Sequence, residues 1–250
     1  MGSLHAGHLS LVKKSLESCD LTIVSIYVNP EQFAPDEDLE TYPRSIESDI
    51  GLLEKLGTDA LFLPSDKMMY PDTFSTYITE DLISKNLEGI SRPQFFRGVL
   101  TVVLKLFNII KPDKAVFGMK DYQQLVLVEK MILDLNLDLE IVRCETVREN
   151  SGLAMSSRNR YLSENEINQL GIIYISLENA KKQIMNSTQK IVKIKDTFLK
   201  NISTINHASV DYFEIVSMDC KQIKVAEAPC VILVAVIYKD VRLIDNIIVK

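Results

Sequence analysis

The 250-residue chain is 46 % hydrophobic and carries 28 basic against 34 acidic side chains, a formal charge of −6. At that length about 70–75 % of the unfolded surface is buried on folding, in one large domain or a large one plus a small one. No apolar run is long enough to cross a bilayer, no charged-then-apolar leader opens the chain and no basic tract marks it. Neither a membrane nor nucleic acid is expected as a partner, and the cytoplasm is the expected compartment. The four cysteines, Cys19, Cys144, Cys220 and Cys230, lack metal-ligand spacing and read as reduced, mostly buried thiols.

The chain opens on Met1-Gly2-Ser3-Leu4-His5-Ala6-Gly7-His8 and runs into the periodic apolar positions Leu9, Leu11, Val12 and Leu16, a helix start. Two of the three histidines stand here at i and i+3, on one face, where unpaired N–H groups and the dipole attract an anion. Gly7 admits close approach of a ligand. Half of a metal site, or two ordinary helix histidines, are the competing readings, although His207 is remote in sequence and no cysteine pair assists. Leu21 to Val28 is a buried strand ending at Asn29-Pro30. The loop after it, to Pro43, carries Gln32, Phe33 and the acidic Asp36, Glu37 and Asp38.

Ser45 to Leu56 predicts a helix, Ala60 to Pro64 a strand and Ser75 to Ile78 a short strand. Ser91 to Gly98 reads as a loop whose Arg92 and Arg97 could clamp an anion. Val99 to Ile110 is a helix stopped by Pro112, Lys114 to Gly118 a strand, Tyr122 to Leu135 a helix and Leu139 to Val147 a strand. This alternation predicts an α/β fold with a doubly wound parallel sheet. After Arg148 the composition changes. Met155 to Arg160 is a cationic loop, and Ser163 with Glu166 forms a capping box. Helices over 164–185 and 188–202 then precede strands at Tyr212 to Val216, Val231 to Tyr238 and Arg242 to Val249, a smaller α+β domain with its boundary near 148.

His5-Ala6-Gly7-His8 matches H-x-G-H, the nucleotide-binding signature of the superfamily that holds class I aminoacyl-tRNA synthetases and small nucleotidyltransferases. The ordered blocks M-G-S-L-H-A-G-H-L-S-L-V, V-N-P-E-Q-F, Y-P-R, S-R-P-x-x-F-R-G, K-L-F-N-I, F-G-x-K-D-Y-Q-Q-L, T-V-R-E, G-L-A-M-S-S-R-N-R-Y-L and R-L-I-D-N resemble those of the pantothenate synthetase (pantoate–β-alanine ligase) family. The resemblance implies a Rossmann-like nucleotide- and pantoate-binding domain over 1–147 and a C-terminal lid domain over 148–250. It also implies ATP-dependent condensation of pantoate with β-alanine through a pantoyl-adenylate, Mg2+ on the ATP, and a homodimer.

Residue by residue, the resemblance implies nucleotide contacts from Met1, Gly2, Ser3, Leu4, His5, Ala6, Gly7 and His8, with His8 as proton donor. Gly118, Met119, Lys120 and Asp121 form a second block, in which Lys120 supplies a movable cation. Val147 meets adenine through its backbone. Met155, Ser156, Ser157 and Arg158 correspond to the superfamily's mobile Lys-Met-Ser-Lys-Ser-type loop and hold pyrophosphate. Gln32 and Gln124 bind pantoate, supported by Asn29 and Arg97; neutral amides orient the attacking carboxylate without quenching its charge. No protein ligand for Mg2+ is singled out. The chain departs from the family at Gln94-Phe95, where Gly-His is usual, and at Met119, where Glu is usual. The family also has a strand ending in Pro-Thr ahead of the Met1 position, so a central strand preceding Met1 is expected. Another H-x-G-H nucleotidyltransferase and a non-catalytic nucleotide-binding relative are the alternatives.

Overall fold

The structure, a computed structural model, describes residues 2–35, 37–186 and 190–250. They divide into two compact units, one running to Met119 and again over Gln123–Glu145, the other made of Lys120–Tyr122 and Thr146–Lys250.

In the first unit, α1 (Ala6–Ser18) leads to β1 (Ile23–Ser25), which pairs in parallel with β2 (Ala60–Phe62) across α2 (Ile46–Leu56). Two rules of helix chemistry set the bounds of α2. Glu47 and Asp49 lie in its first turn and Lys55 in its last, complementing the dipole, and Gly57 at φ +80° closes it in the left-handed region. Leu4, Val12, Ile26 and Leu53 form the core between these elements. The short helices α3 (Asp66–Met69) and α4 (Glu88–Ser91) follow, then α5 (Phe95–Ile110), which ends at Lys111 just ahead of Pro112. β3 (Lys114–Gly118) pairs in parallel with β4 (Glu140–Cys144) across α6 (Tyr122–Asp134). The parallel strands thus form two pairs, and β1 and β3 are not hydrogen-bonded to each other.

The structure corrects two expected elements here. Ser75 to Ile78 is not a strand, because the Ile78 N–H goes to the Thr101 side chain of α5 at 3.0 Å instead of to a strand partner. Ser91 to Gly98 is not one loop, because α5 begins at Phe95. Gly98 lets this first turn press against the 3-10 turn Pro30–Gln32, and a Cβ there would stand 2.1 Å from Glu31 O.

The second unit holds α7 (Glu164–Leu170), α8 (Ile172–Asn186) and α9 (Ile191–Ile202) against an antiparallel sheet ordered β5 (Ala208–Val216), β6 (Cys230–Tyr238), β7 (Val241–Val249). The Ser163–Glu166 capping box opens α7. The helix expected over 164–185 is interrupted at Gly171, where a Cβ would meet Ser151 O at 2.3 Å. Thr188 and Gln189 of the helix expected from 188 lie outside the described residues. β6 is the central strand and nearly all of it is buried, so its sequence CVILVAVIY is apolar almost throughout, as expected of a strand covered on both faces. One continuous core, including Leu177, Phe198, Phe213 and Val234, belongs wholly to this unit. All four cysteines are free, and Cys144, Cys220 and Cys230 are buried; burial pushes the Cys220 thiol up to about 12. No helix among the described residues is long and apolar enough to cross a membrane.

Candidate active site

The histidine pair builds its own helix start. His5 is the N-cap of α1, and its Nδ1 accepts the Gly7 N–H at 3.2 Å, while His8 Nδ1 accepts the His5 N–H at 3.4 Å. This is a reciprocal capping box made of imidazoles, with ring centroids 4.0 Å apart. A ring nitrogen that accepts carries no proton, so each neutral ring holds its proton on Nε2 and can donate from there. The Gly7 N–H is taken by His5.

Ahead of the helix the chain is bent by left-handed residues, Gly2 at φ +95° and Ser3 at φ +54°. The bend is held by Asp49, 1 % exposed on α2, whose two oxygens accept Ser3 N at 2.7 Å and Leu4 N at 2.8 Å. Ser45 Oγ donates to the same carboxylate. Asp49 was not among the residues singled out in the sequence, since an acidic residue in the first turn of a helix is ordinary; only the fold carries it to the bend. Of the expected nucleotide contacts, Met1 lies outside the described residues, Ser3 and Leu4 direct their N–H groups at Asp49, and Ala6 opens α1.

Asn29, 1 % exposed, is held at both ends: its Nδ2 donates to Gln32 Oε1 at 2.9 Å and Gly98 O at 3.2 Å, and its Oδ1 accepts from the Tyr70 hydroxyl at 2.8 Å. The Gln32 amide is thereby oriented with its NH2 group pointing away from Asn29. Gln124 is half-buried on α6 beside Gln123, which is buried and holds Ile83 O, Asn86 O and Glu88 N. The twin glutamines thus have distinct surroundings that the sequence does not reveal. Arg97 lies over the Tyr77 ring, 4.0 Å from its centroid, with Nη2 3.7 Å from Glu31 and a buried Nε that has no hydrogen-bond partner among the described residues. Arg92 makes a bidentate pair with Glu37, donates to Gln32 O and stacks on Phe95, so it ties the 32–37 segment to the helices and carries a carboxylate partner of its own. A Cβ at Gly118 would meet only Leu11 Cδ2 at 3.8 Å, so protein packing does not demand a glycine there.

The second unit gathers the other set. Lys120 stands 3.7 Å from the Asp121 carboxylate, next after Met119 in the 3-10 turn Met119–Asp121. Val147 accepts the Met155 N–H at 3.0 Å, and Arg148 bridges Ala154, which folds the cationic loop back as a hairpin. Ser156 caps the 3-10 turn Ser157–Tyr161, its Oγ accepting Arg158 N at 3.3 Å. Ser157 is buried, and Asn159 Nδ2 donates to Glu149 and to Ala154 O. Burial raises the Asp245 carboxyl while the paired Arg148 guanidinium opposes the rise. Among the described residues no cluster of three His, Cys, Asp or Glu could hold a metal ion.

A parallel α/β unit opening on a self-capped H-x-G-H helix start, with a smaller α+β unit carrying a Ser-Ser-Arg loop, defines an α/β enzyme of the H-x-G-H nucleotidyl-transfer class. The model of the pantoate-beta-alanine ligase family matches residues 1–248. The pantothenate synthetase of Thermotoga petrophila is 47 % identical over 249 residues, 99 % of this chain and 89 % of the relative. That of Caldicellulosiruptor saccharolyticus is 49 % identical over 251, 100 % and 89 %. Among solved structures, pantothenate synthetase from Thermus thermophilus superposes with a TM-score of 0.94 at 37 % identity, covering 100 % of this chain and 91 % of that one. Pantoate-beta-alanine ligase from Francisella tularensis, complexed with beta-gamma ATP and beta-alanine, does so at 0.81 and 38 %, covering 99 % and 87 %. The chain belongs to the pantoate–β-alanine ligase family, and its reaction is the ATP-dependent condensation of pantoate with β-alanine.

Proposed function

We propose that the two residue sets divide the reaction as follows. Pantoate carboxylate attacks the α-phosphorus of ATP and pyrophosphate leaves, giving pantoyl-adenylate; the β-alanine amine then attacks the acyl carbon and AMP leaves. In the first step charge spreads over phosphate oxygens, which donors already in place stabilise without reorganisation. His5 and His8 supply two such donors through Nε2–H, and His8 serves as the proton donor. The observation carrying this reading is that both Nδ1 atoms accept backbone N–H groups, which leaves Nε2 as the donating end of each ring.

Gln32, its amide turned by Asn29, and Gln124 orient pantoate, with Arg97 in support. Gly118 admits the nucleotide close to the backbone, Met119 lines the same turn, and Val147 meets adenine through its backbone. Lys120, steadied by Asp121, and Ser156, Ser157 and Arg158 beside Met155 hold the departing pyrophosphate, the C-terminal unit acting as the lid. Mg2+ would offset polyphosphate charge when bound; the described residues include no cluster of three His, Cys, Asp or Glu to hold it, and no step here is routed through it. A cytoplasmic homodimer completes the reading, and analytical ultracentrifugation would check the dimer.

Pantoate-dependent exchange of labelled pyrophosphate into ATP, measured without β-alanine, tests the order of steps. Exchange is expected with pantoate and ATP alone. Pyrophosphate release that strictly requires β-alanine would overturn the adenylate-first sequence.

A further inference from the structure

Lys120–Tyr122 belongs to the C-terminal unit although only Met119 separates it from strand β3. Two side-chain anchors hold it in that unit. Buried Asn246 of β7 donates from Nδ2 to the Lys120 carbonyl at 2.8 Å, and Tyr122, 1 % exposed, donates its hydroxyl to Met218 O at 2.9 Å. Asn246 is itself fixed at a charged node. Its N–H donates to Asp245 Oδ1 at 2.7 Å, and the same carboxylate takes Arg148 through Nη1 at 2.7 Å and Nη2 at 3.0 Å. Arg148 also donates to Gly152 O at 3.0 Å, stacks on Tyr174 and bridges Ala154, next to Met155. One ion pair, its Asp245 side buried, therefore braces both Lys120 and the root of the Met155–Arg158 loop.

A lysine ammonium rides on a flexible four-carbon stem, so where it can act depends on where its backbone is held. We propose that Asn246, mounted on the Asp245–Arg148 pair, is a positioning residue for Lys120: it touches no reacting atom but sets the backbone from which the ammonium reaches the leaving pyrophosphate. The inference rests on the role given to Lys120 above.

The test is a double-mutant cycle on the full chain. Asn246→Ala and the bulkier Asn246→Leu each remove the donor. Tyr122→Phe removes only the second anchor's hydroxyl, and decides the matter should the Asn246 variants not fold. Each is made with Lys120 present and with Lys120→Ala, and the rate of pantoate-dependent pyrophosphate exchange is followed against ATP concentration.

With Lys120 present the Asn246 variants should lower the maximal rate roughly 10- to 100-fold, as a displacement of about an ångström does. Tyr122→Phe should lower it by a smaller factor, and the KM for ATP should change less than about threefold. With Lys120→Ala neither change should cost anything further. An equal fall in both backgrounds would show that Asn246 acts elsewhere and overturn the inference, as would unchanged rates. Lys120→Ala exchanging at the wild-type rate would overturn the Lys120 role itself, and the inference with it; the single variant reveals that failure on its own.

Discussion

His5 and His8 commit their Nδ1 lone pairs to backbone N–H groups, so each neutral ring has one tautomer and one donating end. His8→Ala should therefore lower pantoate-dependent exchange by about 10²–10³, the range for losing one electrostatic stabiliser, while ATP affinity falls much less. Loss of its part in the capping box should add about 1 kcal/mol of destabilisation, read as a lower thermal midpoint. Equal losses in ATP binding and rate would assign His8 to uniform binding instead. Asn29 and Gln32 separate a support from a contact. Asn29→Ala leaves the Tyr70 hydroxyl without its acceptor, worth about 1–3 kcal/mol when buried and unpaired, and removes a second bond to Gly98 O, a carbonyl inside α5. It should depress both thermal stability and pantoate saturation. Gln32→Ala should raise the pantoate KM and, because it leaves one Asn29 N–H without its acceptor, also lower the midpoint somewhat. If Asn29→Ala alters the melt but not the pantoate dependence, the orientation of Gln32 by Asn29 has no functional weight.

Helix starts carry much of the arrangement at the scale of elements. The first turn of α5 meets the turn Pro30–Gln32 at Gly98, whose replacement by Ala would put a methyl 2.1 Å from Glu31 O. Backbone on both sides leaves no flexible atom to move. Gly98→Ala should cost about 1–3 kcal/mol or more and raise the pantoate KM by displacing Gln32; a wild-type melt with wild-type pantoate kinetics would show that the contact relaxes freely. At the start of α7, the Lys239 ammonium, helped by the Ser163 N–H and hydroxyl and the Tyr238 hydroxyl, holds the Glu166 carboxyl down to about 2. Free glutamate titrates near about 4.3. The stability this contributes is present above that value and lost as pH falls through about 2. Glu166→Gln should flatten the pH dependence of the thermal midpoint across that window and leave the neutral-pH dependence as it was.

For the molecule as a whole, the C-terminal unit holds its own core, with no member from the first unit. A fragment of residues 146–250 should therefore fold alone, with dispersed amide resonances and a cooperative melt, and should show no pyrophosphate exchange because it lacks the histidine pair. A fragment without tertiary structure would mean that Lys120–Tyr122, through Tyr122 and its bond to Met218, is needed to complete that core.

What the sequence determined by itself was whatever depends on local spacing. The i, i+3 histidines, the Ser163–Glu166 box, the apolar run of β6, the alternation of strands and helices, and the ordered family blocks are all short-range patterns set by backbone geometry. Where the pattern was weak the expectation failed: Ser75 to Ile78 is too short to carry a period of its own, a strand exists only if a partner lies alongside, and Thr101 takes the N–H instead. The tertiary structure alone decided which polar residues serve which others. Asp49 reaches Ser3 and Leu4 from 46 and 45 residues away, Arg148 reaches Asp245 across 97, and Asn246 reaches Lys120 across 126. Nothing in the residue types announces these partners. Hydrogen bonds form between groups that the packing of apolar faces brings within about 3 Å, and which faces meet is a property of the folded chain.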